Sequence, residues 1–336
     1  MFKSLSAILI TAFGLAGFSQ TSLANQDAWL ALQKAAFAAR ELNYQGIFVY
    51  QNGNQVRSVQ ITHMNTAGQE LTRNMILDNQ SVAGKPKSKQ PREVFSQGSD
   101  IVIFNPKNDK VIIEKRHGQN LFPAMLPVNL QSLKMSYTAR INVLDYVAGR
   151  QAQIIELIPK DAYRYSYKIW TDTEFGLLVK MTLQNEKNET LEQITFQELS
   201  MLNSHDLNWF QPSIDLSKKY EMEDVALLNR VHTNWIVAEL PPGYIKVDHI
   251  EYMTNGKTTP VNQMIFSDGI ASVSLFIEPI VKGKRPKVGH HLIGSTHICA
   301  NMVEGYQVMV VGEVPLATVQ QIAKAVSFKK QTASAR

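Results

Sequence analysis

The side chains in this sequence best suited to hold a metal are His290, His291, His297 and Cys299. His297 and Cys299 stand two apart, so on a strand they point the same way and supply two ligands. A zinc site needs about four, and no Cys-x-x-Cys or His-x-x-x-His partner completes the set. No metal or other cofactor is expected, and Cys299 reads as a small apolar core residue. A nucleophilic Cys299 needs a lowered pKa and a base beside it, and the sequence shows neither. The phosphate-cradling G-x-x-x-x-G-K-[ST] loop, the G-x-G-x-x-G turn and the G-x-S-x-G elbow are all absent. The chemistry on offer is that of binding.

Two basic loops carry the charge. SVAGKPKSKQPR (81–92) holds Lys85, Lys87, Lys89 and Arg92, and VKGKRPKVG (281–289) holds Lys282, Lys284, Arg285 and Lys287. Such clusters are most often solvated surface, and they can also wrap an anionic head group. The aromatic residues Phe48, Tyr50, Phe104, Tyr165, Tyr167 and Trp170 are core candidates that would line a cavity if the sheet bearing them curled.

The elements that position these residues are mostly strands. Asp161–Leu199 reads as a three-stranded antiparallel meander. Tyr163, Tyr165, Tyr167 and Ile169 alternate with Arg164, Ser166 and Lys168 in its first strand, and Val179, Met181 and Leu183 with Lys180, Thr182 and Gln184 in its second. Ile194 and Phe196 mark the third. Upstream, Asp27 can cap a helix whose stripe is Trp29, Leu32, Ala36 and Phe37, with Leu30 beside it. The hairpin 44–64 follows, turning at Asn52-Gly53-Asn54. Further strands are expected at 71–77, 92–96, 100–104, 111–115, 137–146 and 152–158, with a short helix or flap over 119–133. So many strands in one sheet must curl. Residues 204–229 read as a linker. A smaller antiparallel sheet follows, begun by VHTNWIVAEL (231–240) and covered by an amphipathic helix at 315–328.

The fold class expected is thus mainly β (α+β): a large curved antiparallel sheet with covering helices, and a smaller sheet-and-helix domain. The domains run 25–203 and 230–330. Residues 1–24 have the three parts of a secretory signal: Lys3, an apolar run from Leu5 to Phe18, and Ser22-Leu23-Ala24 at a cleavage site. That run is shorter than the roughly 20 residues a membrane-spanning helix needs. An exported protein beginning near Asn25 is expected. Removing Lys3 lowers the formal net charge of +5 by one, a mild excess that, with export, argues against a nucleic-acid partner. A single cysteine excludes an intramolecular disulfide.

Four stretches in order, REVFSQGSDIVIFNP (92–106), RYSYKIWTDTEFGLLVKMTLQNEKNETLEQITF (164–196), SDGIASVSLFIEP (267–279) and VPLATVQQIAKAVSF (314–328), resemble the RseB/MucB family of periplasmic regulators of the envelope-stress sigma factor. The second is the specific one. The resemblance implies a large domain of the LolA/LolB lipoprotein-carrier type, a linker and a smaller domain. It implies no enzyme activity. Such a protein binds the periplasmic domain of a membrane-spanning anti-sigma factor of the RseA/MucA type and shields it from site-one proteolysis. Lipopolysaccharide or another acyl lipid releases it. The family supplies no residue motif to transfer, so pattern alone places acyl chains near Phe48, Tyr50, Phe104, Met125, Leu126 and Trp170. Head-group phosphates would meet Lys85, Lys87, Lys89 and Arg92. Lys282, Lys284, Arg285 and Lys287 would meet phosphates or an acidic peptide. A homo-oligomer is compatible with this reading. The alternatives are a periplasmic lipid or lipoprotein carrier without an anti-sigma partner, and a metal-dependent enzyme at the histidine-rich strand.

Overall fold

The computed structural model describes residues 17–77, 92–98, 100–105, 110–115, 121–203, 206–211, 219, 221–224, 234–253, 259–281, 283 and 285–329. Helix α1 (Gly17–Glu41) opens it. The helix runs ten residues ahead of Asp27, which therefore sits inside it and not at its N-terminus. The helix buries Ala28, Trp29, Leu32, Ala35, Ala36 and Ala39. Leu30 and Phe37 are exposed, so the stripe is narrower and richer in alanine than the expected one. Alanines let a helix axis approach a sheet closely.

The large sheet is built from β1 (Tyr44–Asn52), β2 (Gln55–Thr66), β3 (Gln69–Leu77), β4 (Arg92–Gln97), β5 (Asp100–Asn105) and β6 (Lys110–Lys115) on one limb. After the turn at 121–130 and helix α2 (Gln131–Ser136), the other limb comprises β7 (Tyr137–Val147), β8 (Arg150–Pro159), β9 (Ser166–Asp172), β10 (Leu178–Gln184) and β11 (Thr190–Met201). The strand order is β6-β5-β4-β3-β2-β1-β11-β10-β9-β8-β7, antiparallel throughout. Helix α1 touches both β2 and β7, which lie far apart in that order, so the sheet curls around the helix. The expected curved antiparallel sheet is what forms.

The inside of the curl is set by side-chain alternation. Tyr44, Gly46, Phe48 and Tyr50 share one face of β1. The turn at 121–130 closes over that face as the expected flap. Its Phe122 lies 5.0 Å from Phe48 and 5.1 Å from Phe196 between ring centroids. Arg40 and Gln33 of α1 fasten the flap by donating to the carbonyls of Ala124 and Val128. Gly46 is where strand and aromatic cluster come closest: a Cβ there would collide with the Glu198 carbonyl oxygen and press on the Phe196 ring. Gly46→Ala is expected to cost about 1–3 kcal/mol, as overpacking does. Urea denaturation measures it, and a loss below about 0.5 kcal/mol would show that β1 and β11 move apart freely.

The expected linker is not plain loop. A 3-10 turn at Leu207–Phe210 offers the Trp209 carbonyl to Arg73 of β3 at 3.1 Å, and β12 (Glu221–Asp224) pairs parallel with β6. The sequence EMED lacks β-branched residues, so the strand exists through its pairing and not through propensity.

The small domain begins with β13 (Trp235–Val237), only three residues of the strand expected at 231–240. The reason is its partner, because β13 pairs with the short C-terminal strand and not with the main sheet. The main sheet comprises β14 (Ile245–Tyr252), β15 (Val261–Ser267), β16 (Ser272–Pro279), β17 (Gly289–Ile293), β18 (Thr296–Val303) and β19 (Tyr306–Gly312), in the order β14-β15-β16-β19-β18-β17. Helix α3 (Leu316–Ala325) covers one face, and β20 (Val326–Phe328) closes the chain against β13. Val273, Leu275 and Ile277 of β16 join Val319, Ile322 and Ala323 of α3 in the core. Ser272, Ser274 and Phe276 therefore point the other way, toward the large domain.

Candidate functional site

A half-open cavity of about 380 Å³ lies between the two sheets. Tyr50 of β1, Tyr167 of β9, Met181 and Leu183 of β10 and Ile194 of β11 form its large-domain wall, with Met125 from the flap. Ser274 and Phe276 of β16, Val311 of β19 and Glu313 form the opposite wall. The small-domain wall is the face of β16 and β19 that α3 leaves uncovered, and the large-domain wall continues the inner face of the curl that also carries Phe48 and Phe196. The volume is within the range of small-molecule sites, roughly 300–1,000 Å³.

A row of polar contacts crosses this interface. At the β9 end, the Arg164 and Asp268 side chains are each 0% exposed, with Nε 2.8 Å from Oδ2. Tyr137 Oη donates to the same carboxylate at 3.1 Å, and Arg164 also reaches Asp161 and the Pro242 carbonyl. Thr318 Oγ1 donates to the Tyr163 carbonyl at 2.8 Å. At the β1 end, Asn52 Nδ2 lies 2.8 Å from Glu192 Oε1 and 2.9 Å from Ser295 Oγ, and Ser295 donates to Glu192 as well. Gly294, at φ +62°, allows that turn to sit on Asn52, where a Cβ would strike the amide oxygen.

Between the two ends, Glu313 stands against Glu192. Burial and then the Glu192 carboxyl, by charge and by hydrogen bond, push Glu313 up to about 7. Burial pushes the Tyr50 phenol up to about 12. The cavity's acidic wall therefore carries one ionisable group poised near neutrality.

The residues singled out from the sequence scatter over this frame. Tyr50 and Met125 line the cavity. Phe48 and Leu126 are buried in the large-domain core behind it. Trp170 faces the opposite side of the sheet: its Nε1 donates to Asp145 at 2.8 Å and Lys180 lies 4.4 Å over its ring. Strand alternation sends Tyr167 and Ile169 to one face and Trp170 to the other, where it is buried in the core cluster and is not part of the cavity lining. Phe104 packs edge-on to Phe95 at 5.5 Å on the β4–β5 limb, and Arg73 covers Phe95 from there. Arg92, Arg285 and Lys287 are exposed and away from the cavity lining, and the Lys287 backbone is fixed by Gln307. Lys85, Lys87, Lys89, Lys282 and Lys284 lie outside the described residues.

His290 and His297 stack at 6.2 Å across β17–β18, where His290 pairs with Cys299. Burial raises the Cys299 thiol, and burial together with His290 lowers His297. Among the described residues no three His, Cys, Asp or Glu side chains are grouped to hold a metal. No described helix is long and apolar enough to cross a membrane.

The family description "MucB/RseB N-terminal domain" matches residues 27–214, and "MucB/RseB C-terminal domain" matches 229–327. The sigma-E factor regulatory protein RseB of Escherichia coli K12 is 23% identical over 313 residues, covering 93% of this chain and 94% of that protein. The sigma factor AlgU regulatory protein MucB of Pseudomonas aeruginosa is 25% identical over 324 residues, covering 95% and 96%. A solved structure of the Pseudomonas aeruginosa MucA/MucB complex matches with a TM-score of 0.70 at 26% identity, covering 90% of this chain and 99% of that one. Another, of MucB in complex with MucA(peri), gives 0.70 at 24% identity, covering 90% and 100%. These relatives are named regulatory proteins and not enzymes. Since the two matches together take in both sheets and the cavity between them, the chain belongs to the MucB/RseB family.

Proposed function

We propose that this protein is a periplasmic regulatory binding protein, exported with cleavage near Ala24. It holds the periplasmic segment of a membrane-spanning anti-sigma factor and shields it from site-one proteolysis. The envelope-stress sigma factor stays restrained as a result. Lipopolysaccharide or another acyl lipid releases the segment. The observation that carries this reading is the family match on both sides of the interdomain cavity. MucB, a relative of matching fold, has been solved together with MucA.

Lipid release is physically reasonable. A buried methylene contributes about 0.8 kcal/mol, so an acyl chain of about 12 carbons supplies up to ~10 kcal/mol gross. Ordering and association costs reduce that to a value competitive with a peptide of roughly micromolar affinity. Release requires the lipid to prefer the peptide-free arrangement.

The test is a cleavage assay. The anti-sigma segment is exposed to its activated site-one protease, alone, with the mature protein, and with protein plus lipopolysaccharide. Protection that lipid reverses is expected. Protection that lipid leaves intact refutes release alone, and no protection with no binding overturns the regulatory reading in favour of a lipid carrier.

A further inference from the structure

The interdomain cavity has an electrical sign as well as a shape. Of the described residues that line it, only Glu192 and Glu313 bear a full charge when ionised, and both are acidic. Glu192 is 8% exposed, and its partners Asn52 and Ser295 are neutral. They stabilise its carboxylate by hydrogen bonds without cancelling its charge. Among the described residues no lysine or arginine forms an ion pair with either carboxyl. At the other end of the interface Asp268 does have such a partner, Arg164. Beside the uncompensated carboxyls lie the half-open space of about 380 Å³ and walls that include Tyr50, Tyr167 and Phe276. Aromatic faces favour a cation over an anion.

We propose that the interdomain cavity is a binding site for an organic cation, a primary ammonium group carried on an apolar chain. The ammonium sits at the Glu192 and Glu313 carboxyls, and the chain lies along Met181, Leu183 and Phe276. An ammonium group has three N–H donors and no acceptor, so it suits a wall of acceptors. Its bonds to carboxylates are charge-assisted, and the negative potential that two unpaired carboxyls create is relieved when it binds.

The same charges turn an anionic head group away. A phosphate in this cavity would meet two carboxyls, and no described lining residue is basic. A lipid could leave its hydrocarbon here only with its phosphates outside. The ammonium group itself has two sources: a free long-chain amine, or a lysine side chain of the segment that the protein holds on the regulatory reading.

The experiment titrates the mature protein by calorimetry with n-octylamine, n-octanol and octanoate, which share one chain and differ in head-group charge. It is run at pH 8, above the value of about 7 to which Glu313 is pushed. The amine should bind roughly tenfold more tightly than the alcohol, and octanoate more weakly than both. Glu192→Gln should remove most of the amine's advantage and leave octanol binding unchanged, which reports an intact cavity. Glu313→Gln provides the same check if the first variant, which disturbs the bonds to Asn52 and Ser295, opens the interface. No binding of octylamine, equal binding of amine and alcohol, or an advantage that survives both substitutions overturns the proposal. Competition then separates the sources. Displacement of octylamine by the anti-sigma segment, but not by the same segment with its lysines acetylated, assigns the cation to a lysine side chain, and displacement by neither assigns it to a free amine. Only this second step rests on the regulatory reading: a segment that does not bind at all counts against that reading and leaves the octylamine result standing.

Discussion

Asp268→Ala is expected to destabilise the protein by about 3–5 kcal/mol, the range for removing one partner of a buried ion pair. The carboxylate accepts from Arg164 Nε and Tyr137 Oη through Oδ2, and from the backbone N–H groups of Ile270 and Ala271 through Oδ1. Alanine removes all four hydrogen bonds at once. The Arg164 guanidinium then stays buried with only Asp161 and the Pro242 carbonyl, a charge desolvated without its main counter-ion. Because Arg164 belongs to the large domain and Asp268 to the small one, the damage falls on the coupling between them. Urea unfolding should split from one transition into two as the domains lose their mutual support. A double-mutant cycle sharpens the test. In the Arg164→Ala background the buried Asp268 carboxylate is itself the charge without its counter-ion, so adding Asp268→Ala removes that charge and should cost much less than it does alone. Additive losses would mean that the ion pair does not join the domains.

The same pair explains where the sequence misleads. Tyr163, Tyr165 and Tyr167 alternate with Arg164 and Ser166 like a strand, yet β9 begins only at Ser166. Arg164 leaves the alternation because its charge is satisfied 104 residues away, a distance no local pattern encodes. Elsewhere, local chemistry suffices. The Asn52-Gly53 hairpin, the β9–β11 meander and the α3 stripe are decided by turn residues and periodicity, and all three form. The cavity was half legible. Serine and phenylalanine at 272, 274 and 276 alternate with the β16 core, so a second, more polar wall could be read. Glu192 is legible locally, since it shares a strand face with Ile194 and Phe196 and so sets a carboxylate on an apolar side. Asp268 and Ser295 lie in SDG and GST turns, whose composition accounts for them locally and hides their partners. Trp170 is a core residue, as its type suggests, but it sits on the sheet face opposite Tyr167 and Ile169. An aromatic residue next to a core strand looks inward-facing until register decides which face is which.

Phe196→Ala should cost about 3–5 kcal/mol, the range for deleting a buried aromatic ring. Phe196 is 1% exposed, and its ring is held by Phe48 at 6.0 Å and Phe122 at 5.1 Å. Part of the cost is transfer of the ring from the core to water in the unfolded chain. The rest depends on how far the neighbours collapse into the space. Little collapse is expected, because Phe48 is fixed in β1 between two paired strands and Phe122 is fixed in a flap that Arg40 and Gln33 tie to α1. The loss should therefore fall in the upper part of the range, and Phe196→Leu should recover a good share of it. A second consequence follows from strand geometry. Ile194, two residues away on the same face, lines the interdomain cavity, so the void left by Phe196 opens toward that cavity. An apolar probe such as a fluorescent fatty acid should then bind the folded variant more tightly than the parent. Equal probe binding together with a loss near 1 kcal/mol would show that the aromatic cluster had closed over the gap, and that core and cavity are separated by a flexible wall.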